Sequence, residues 1–236
     1  INSGLADSVK KEHSGFVKYT HIEHARRYPH VFTEGEFVVV TEKIHGTNFR
    51  AGYVSYVPKK WWDKVRKFLH ILPKYEFVYG SRNVELKSEG THTFYDSNIY
   101  WQTVKQYDLK NKIKKGDIWF GEVFGKGIQK GYTYGFDEIG CVFFDIYREG
   151  KYLDYYHSNN EFIFNRVPVV PLLWDGPYNL ESIKLLAEGP SHLGTQQHRE
   201  GIVVRGYIER TQPGFGRAIL KILNENYLLL KSTDWH

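Results

Sequence analysis

Residues 38–50 combine a reactive side chain with the local structure needed to fix it. Three valines lead into Thr41, Glu42 and Lys43, and a glycine follows three positions after the lysine. A β-branched run predicts a strand, and the glycine predicts a tight turn into a second strand. The Lys43 amine would then lie at a strand end and, with its pKa lowered by burial or nearby cations, attack phosphorus. Taken alone, the segment equally fits a surface hairpin with a solvated lysine.

Two carboxylates and two cations lie in or beside other apolar runs. Glu122 interrupts an apolar run, Glu200 precedes another, and Arg205 and Lys221 lie within such runs. A buried carboxylate needs donors, which a ribose diol would supply to Glu122. Phosphoryl transfer concentrates cations and a metal at the phosphorus, and Mg²⁺ accepts one or two carboxylates with waters and phosphate oxygens. The alternative for Glu200 is a solvated loop carboxylate.

Phe144 and Val203 lie in strongly apolar runs, so each fits either a core position or one wall of a slot for a flat base. Cys141 has the same surroundings as Phe144, and we interpret it as core. Because it is the one cysteine of the chain, no internal disulfide and no cysteine-rich zinc site can form.

Taken together and in this order, these segments resemble the covalent nucleotidyltransferase superfamily of ligases and capping enzymes. The closest similarity is to the RNA ligase 2 branch, which seals RNA nicks. The motifs are EKIHGTNF (42–49), GSRN (80–83), FGEVFG (120–125), FFDIY (143–147), EGIVVR (200–205) and LKIL (220–223). The stretch GIQK (127–130), just after the third motif, is also similar to this branch. The resemblance spans residues 16–231, and six ordered motifs are far more specific than one.

The resemblance implies a role for each motif residue. Lys43 would carry AMP, and His45 would act on the acceptor ends in the later steps, although a packing or turn role for His45 stays open. Glu42 and Asn48 would contact the nucleotide, Glu122 would bind its ribose, and Phe144 and Val203 would hold its adenine. Arg82 would bind the ribose and the acceptor 5′-phosphate. Glu200 would hold a metal, and Arg205 and Lys221 would contact phosphate. The implied cofactors are ATP and Mg²⁺ or Mn²⁺. The alternative for Arg82 is a surface cation at a strand end.

The last motif departs from the family pattern, which commonly has a second lysine where this chain has Leu223. Leucine cannot neutralise a phosphate. If Lys221 points into the site from a strand, Leu223 shares its face by the period of two. Lys231 is the one Lys or Arg after Lys221, and we expect it to substitute.

The sequence predicts an α+β fold with largely antiparallel sheets and flanking helices, of the nucleotidyltransferase type. Strands are predicted at 36–41, 49–55, 75–79, 117–124, 140–147, 167–173, 201–208 and 217–223. Helices are predicted at 59–69, 97–113, 158–165 and 180–188, the last with Asn179 as N-cap and Gly189 as its stop. Residues 1–14 are interpreted as a flexible leader and 15–236 as a single domain with no OB-fold appendage.

Composition restricts the partners. The formal charge is +5, with 32 Lys and Arg against 27 Asp and Glu, which allows a polyanionic partner without requiring one. Residues 59–68 mix aromatic and basic side chains in a helical pattern, which fits either contact with a nucleic acid backbone or a solvated face with its tryptophans packed down. No apolar stretch reaches membrane-spanning length. We expect a cytoplasmic monomer, or one in the host cytoplasm if the source is viral, with no membrane partner.

The sequence therefore predicts an ATP-dependent RNA ligase that joins 3′-hydroxyl and 5′-phosphate ends of RNA, or of a nicked duplex containing RNA. Two alternatives stay open. One is a DNA ligase or GTP-using capping enzyme of the same superfamily, against which His45 and residues 127–130 argue. The other is a nucleic-acid-binding protein that has lost catalysis, and Leu223 and the lack of an accessory domain are its support.

Overall fold

The computed structural model describes residues 13–58, 61–68, 73–86, 98–196 and 198–233, with only the backbone at 63, 67 and 230–233. Residues 1–12 of the predicted leader lie outside this description. The chain forms two compact units. The first comprises Ile1–Tyr19, Asn48–Phe120 and Ile146–Lys151, and the second comprises Thr20–Thr47, Gly121–Asp145 and Tyr152–His236.

Strands and helices alternate irregularly along the chain. The strands are β1 (Glu23–His24), β2 (Phe37–Lys43), β3 (Thr47–Ser55), β4 (Tyr75–Ser81), β5 (Glu85–Leu86), β6 (Asp117–Gly125), β7 (Ile139–Arg148), β8 (Lys151–Tyr152), β9 (Leu172–Pro177), β10 (Gly201–Gly206), β11 (Thr211–Gln212), β12 (Gly216–Arg217) and β13 (Ile219–Leu223). The helices are α1 (Trp61–Phe68), α2 (Ile99–Gln106), α3 (Leu109–Lys112), α4 (Tyr155–Phe164), α5 (Leu180–Leu185) and α6 (Glu225–Thr233).

A five-stranded sheet in the second unit has the order β1-β13-β10-β2-β9. β10 is antiparallel to both β2 and β13, β2 is antiparallel to β9, and β1 is parallel to β13. In this register Gly201 lies opposite Lys43 on one side and opposite Leu223 on the other. The α+β prediction with largely antiparallel sheets is confirmed.

The two faces of this sheet differ because successive side chains of a strand point to opposite faces. One face packs into a hydrophobic core that includes Val38, Val40, Ile202, Val204, Leu220 and Ile222. The other face carries Lys43, Val203, Arg205, Lys221 and Leu223, which alternate with those core residues. Lys221 and Leu223 therefore share a face, as the period of two predicts.

A second sheet has the order β5-β4-β3-β6-β7-β8. In the first unit β3 is antiparallel to β4, with Phe49 opposite Ser81. Arg50 is fully buried there, and its guanidinium donates to the carbonyls of Phe16, Val17 and Ser81, so that the charge has buried acceptors. A two-stranded sheet of β11 and β12 completes the described strands.

Four predicted elements differ from the structure. The helix predicted at 180–188 ends at Leu185, so Gly189 is not its stop, and the strand predicted at 217–223 is divided into β12 and β13. The helix predicted at 97–113 is broken into α2 and α3, because Asp108 adopts a left-handed conformation with φ of 52°. The strand predicted at 167–173 begins only at Leu172, and before it Phe143 and Val169 form an isolated bridge. Pro168 and Pro171 lack the amide hydrogens that a strand ladder requires.

Helix caps explain one prediction that is confirmed and one helix that the sequence analysis missed. The Asn179 side chain accepts a hydrogen bond from the Ser182 amide at 2.8 Å, which confirms it as the N-cap of α5. Asn224 caps α6 in the same way, accepting from the Asn226 amide at 2.8 Å. In the described part of the chain, no helix has the length and apolar character needed to cross a membrane.

Candidate active site

Lys43 and Glu200 form the centre of the candidate site. Lys43 is the last residue of β2, and Glu200 immediately precedes β10, whose Gly201 pairs with Lys43. The Lys43 Nζ donates to Glu200 Oε2 at 2.7 Å. Strand pairing therefore fixes the predicted nucleophile beside the predicted metal ligand.

Glu200 is nearly buried yet remains ionised. Burial alone would raise the pKa of its carboxyl, but the ammonium of Lys43 and the imidazole of His45 outweigh that effect and hold the pKa below its ordinary value. The His45 Nδ1 lies 3.6 Å from Glu200 Oε2. The carboxylate is thus a preformed anion in a mostly dry setting, as a cation ligand requires.

The turn from Lys43 to Gly46 is fixed by sterics and by two hydrogen bonds. A Cβ added to Gly46 would lie 2.2 Å from the Val123 carbonyl oxygen and 3.0 Å from Glu122 Cγ. The Gln129 side chain donates to the Gly46 carbonyl at 2.8 Å, and the His45 amide donates to the Tyr134 hydroxyl at 2.6 Å. Only glycine allows this approach, which brings Glu122 beside the turn.

Three tyrosines surround His45, and the sequence analysis missed all of them. The rings of Tyr132 and Tyr227 contact the imidazole edge-on, with centroids 5.1 and 5.5 Å away. The Tyr227 hydroxyl lies 3.4 Å from His45 Nδ1. Burial, followed by the charge of Glu200, raises the pKa of both phenols, so they stay protonated. Tyr132 and Tyr134 fall in the glycine-flanked stretch 131–135, the only signal the sequence offers.

Lys221 and Val203 are directly paired across β13 and β10, on the face that carries Lys43. Both are half-buried, so they line a surface and not the core. An open cleft of about 420 Å³ begins at Lys221. Its lining residues are His21, Glu23, His24, Arg26, Arg27, Lys221, Leu223 and Leu228. Burial and the charges of Arg26, Lys221 and Arg27 lower the pKa of His24. These three cations line the cleft with one carboxylate, that of Glu23.

Phe144 lies in β7 and is partly buried. It packs against a cluster that includes Ile44, Tyr132 and Tyr227, so its ring borders the aromatic wall around the turn after Lys43. The structure therefore leaves Phe144 more exposed than its neighbour Phe143, which is fully buried. Partial exposure is what a stacking role requires of an aromatic ring.

Arg205 is not brought together with Lys43, contrary to the expectation of a phosphate clamp. Its guanidinium donates to Asp145 at 2.7 Å and to Glu209 at 3.0 Å, and Arg217 bonds the same two carboxylates. The Arg205 side chain is only 4% exposed. Arg205 lies four residue pairs further along β10 than Gly201, and there two carboxylates already neutralise its charge.

Glu42 is also separated from Lys43, since neighbouring residues of a strand point to opposite faces. Its carboxylate accepts from the Ser191 hydroxyl and from the His192 amide at 2.8 Å. Glu42 thus fixes the loop that precedes Glu200. A direct contact with nucleotide stays a prediction.

Three further residues of the predicted site are Asn48, Arg82 and Lys231. Asn48 and Arg82 belong to the first unit, at the start of β3 and directly after β4. The Asn48 Oδ1 is buried and has no hydrogen-bond partner among the described residues. Lys231 lies in α6, but its side chain is outside the described part of the structure. Their roles stay predictions.

The site offers few metal ligands. Among the described residues, no group of three or more His, Cys, Asp or Glu side chains could enclose a metal ion. Among the described residues, Glu200 is the carboxylate whose contact with Lys43 is recorded, at 2.7 Å. This donor set suits a hard cation that takes one carboxylate and completes its shell with water and phosphate oxygens.

Comparisons with solved structures identify proteins of similar fold. The fold is similar to solved structures of Naegleria gruberi RNA ligase. One variant solved with ATP and Mn has a TM-score of 0.72 and 21% identity, with 96% of this chain and 62% of that chain covered. A second, with AMP and Mn, has a TM-score of 0.71 and 21% identity, with 97% and 62% covered. This chain therefore spans about three fifths of the length of those ligases.

No curated protein matches this chain in sequence. The sequence model of the family described as RNA ligase matches residues 36–223. That range contains Lys43, Glu122, Glu200 and Lys221, and it covers most of the chain. The protein belongs to the RNA ligase family.

Proposed function

We propose that this protein is an ATP-dependent RNA ligase that works through a lysyl-adenylate on Lys43. Lys43 takes AMP from ATP with loss of pyrophosphate, AMP then moves to a 5′-phosphate end, and a 3′-hydroxyl displaces it. The observation that carries the proposal is the pairing of Lys43 with the buried Glu200 at 2.7 Å, on the sheet face that also carries Lys221. An amine, a carboxylate and a second cation are the groups this chemistry needs.

The nucleotide is supported by residues around this centre. Half-buried Phe144 and Val203 would hold the adenine, and Glu122, beside the Gly46 turn, would accept from the ribose. Lys221 would neutralise the α-phosphate, and Arg26 and Arg27 line the same cleft. The similar Naegleria gruberi ligases were solved with ATP or AMP and Mn.

Glu200 would hold the divalent metal, Mg²⁺ or Mn²⁺. When bound, the metal would neutralise charge on the phosphate oxygens. Before metal binding, Glu200 is the counter-ion of Lys43. Lys43 must leave this carboxylate, and lose a proton, before its nitrogen can attack phosphorus.

The RNA substrate is supported by the family and by an exposed surface in the first unit. In α1, Trp61 and Trp62 are each 59% exposed, and Lys64 and Arg66 are exposed as well. The expected alternative of a helix with its tryptophans packed down does not hold for these residues. Exposed indole rings and cations together suit stacking on bases and contact with phosphates. We assign the protein to the RNA ligase 2 branch on the strength of His45, Asn48 and residues 127–130.

The test is incubation of the protein with α-labelled ATP or GTP and Mg²⁺, followed by addition of nicked duplexes with RNA or DNA at the 3′-hydroxyl side. We expect label on the protein from ATP and sealing of the RNA-containing nick. Label from GTP alone would indicate a capping enzyme, and equal sealing of all-DNA nicks would indicate a DNA ligase. Protein that neither takes label nor seals, yet binds RNA, would have lost catalysis.

A further inference from the structure

The junction between β13 and α6 is tied to Glu200. The backbone amide of Asn224 donates to the Glu200 carbonyl at 3.0 Å. The Asn224 Oδ1 accepts from the amides of Asn226 at 2.8 Å and of Tyr227 at 3.2 Å. Asn224 is fully buried, so this cap fixes the first turn of α6 to the strand that carries the candidate metal ligand. Tyr227 is the third residue of that turn.

Tyr227 is buried against His45 and Tyr132. Its ring is edge-on to both, with centroids 5.5 Å from His45 and 5.6 Å from Tyr132. Tyr132 packs on the same imidazole, but its hydroxyl donates to the His198 carbonyl. The two tyrosines therefore form a natural comparison. Both support the His45 ring, and only the Tyr227 hydroxyl reaches a ring nitrogen, at 3.4 Å from Nδ1.

The same His45 nitrogen also faces Glu200, at 3.6 Å. Glu200 is already the partner of Lys43, and in the proposed reaction it serves a metal. Because the Glu200 carboxylate also pairs with Lys43 and would bind the metal, it restrains the His45 imidazole only weakly. When one nitrogen of a histidine ring is held by a hydrogen-bond partner, the ring stays in one orientation and in one tautomer. The Tyr227 hydroxyl can supply that second hold.

We propose that Tyr227 is a positioning residue that orients His45 for the steps after lysine adenylation. Its hydroxyl and the Glu200 carboxylate both face Nδ1, which fixes the ring so that Nε2 is the nitrogen that meets the RNA ends. A distance of 3.4 Å is long, and hydrogen bonds at catalytic sites are often long before substrate binds. The inference rests on the proposed function, in which His45 acts on the acceptor ends.

The test separates the reaction steps in the variant Tyr227→Phe, which keeps the ring and removes the hydroxyl. Labelling of the protein by α-labelled ATP should stay within about twofold of wild type, whereas sealing of pre-adenylated nicked RNA should slow by about tenfold, the effect of one lost hydrogen bond. Tyr132→Phe is the matched control. Because its hydroxyl holds the backbone beside Glu200, its loss should slow both steps to the same extent.

A double-mutant cycle with His45→Ala distinguishes positioning from general destabilisation. If Tyr227 acts through His45, Tyr227→Phe should have no further effect on sealing in the His45→Ala background. An equal loss in both backgrounds, equal slowing of both steps, or no slowing would each overturn the inference. If wild-type protein takes no label, the proposed function fails instead.

A spectroscopic measurement tests the contact without activity. In ¹⁵N NMR spectra the His45 Nδ1 resonance should shift in Tyr227→Phe and stay in place in Tyr132→Phe. An unchanged Nδ1 resonance in Tyr227→Phe, or the same change in both variants, would show that the hydroxyl does not hold the imidazole.

Discussion

Lys43 and Glu200 are 157 residues apart in the chain, and their side chains meet at 2.7 Å. The contact arises because Gly201, the residue after Glu200, pairs with Lys43 across β2 and β10. The backbone register therefore decides the geometry of the charged pair, and long flexible side chains need only small adjustments.

Lys43→Ala should abolish labelling by ATP and the sealing of 5′-phosphate ends, while some sealing of pre-adenylated RNA remains, because the last step does not use the amine. Gel assays of labelled protein and of sealed RNA measure both. Lys184→Ala is the control, since Lys184 pairs with Glu181 on the exposed helix α5. Label on the Lys43→Ala protein would mean that another residue is the nucleophile.

Glu200→Ala and Lys221→Ala should each lower the rate of adenylation by about two to three orders of magnitude, the typical effect of removing one group from a site built on charge stabilisation. Single-turnover labelling measures this rate. Near-normal rates in both variants would contradict the proposed metal ligand and phosphate contact.

The pKa of Glu200 predicts a dependence of stability on pH. Because its folded-state pKa lies below the ordinary value of 4.5, the carboxylate contributes stability at pH values above 4.5 and loses it as the pH falls through the folded-state pKa. Lys43→Ala removes the main cation that lowers this pKa. The difference in unfolding free energy between wild type and Lys43→Ala should thus be largest near neutral pH and shrink below about 4.5. A difference that is constant with pH would contradict this account.

Arg205→Ala should mainly lower the stability of the fold, and any effect on catalysis should follow from that loss. Removing one member of a buried ion-pair network leaves Asp145 and Glu209 short of counter-charge, which costs about 3–5 kcal/mol of unfolding free energy. Denaturant titration measures that loss, and Lys221→Ala, at a half-buried position, should show much less of it. If Arg205→Ala unfolds like wild type and has lost adenylation, Arg205 contacts phosphate after all.

Lys231→Ala should lower adenylation by about tenfold or more, and Lys231→Arg should keep part of the activity, because charge is the requirement where Leu223 replaces a cation. Leu223 does share the face of Lys221. The rates at which ATP labels the two variants measure this effect. Unchanged adenylation in Lys231→Ala would leave the phosphate to Lys221 and the metal.

The pattern of the sequence predicted the elements that carry the site better than the groups that complete it. The strands around Lys43, Glu200 and Lys221 follow from local apolar runs, and alternation correctly assigned Lys221 and Leu223 to one face. The partners of Arg205 did not follow, because Asp145 approaches it from β7, and Glu209, four residues after Arg205, lies beyond the end of β10. The tyrosines around His45 were missed for the same reason, since Tyr227 belongs to a helix recognised only through its Asn224 cap.

The strand order determines when the candidate site can form during synthesis of the chain. In the five-stranded sheet, β1 pairs with β13, so the pairing of Glu23 cannot form until Leu220 has been synthesised. In the same way, the contact of Lys43 cannot form until Glu200 has been synthesised. A chain leaving the ribosome from its N-terminus exposes the nucleophile long before its partners exist, and sheets built on such distant pairings form slowly. ATP, which stabilises only the state that binds it, can then act only on a chain synthesised past β13. Nucleotide capture would thus report that synthesis has passed β13, and chains arrested before Leu220 would lack it.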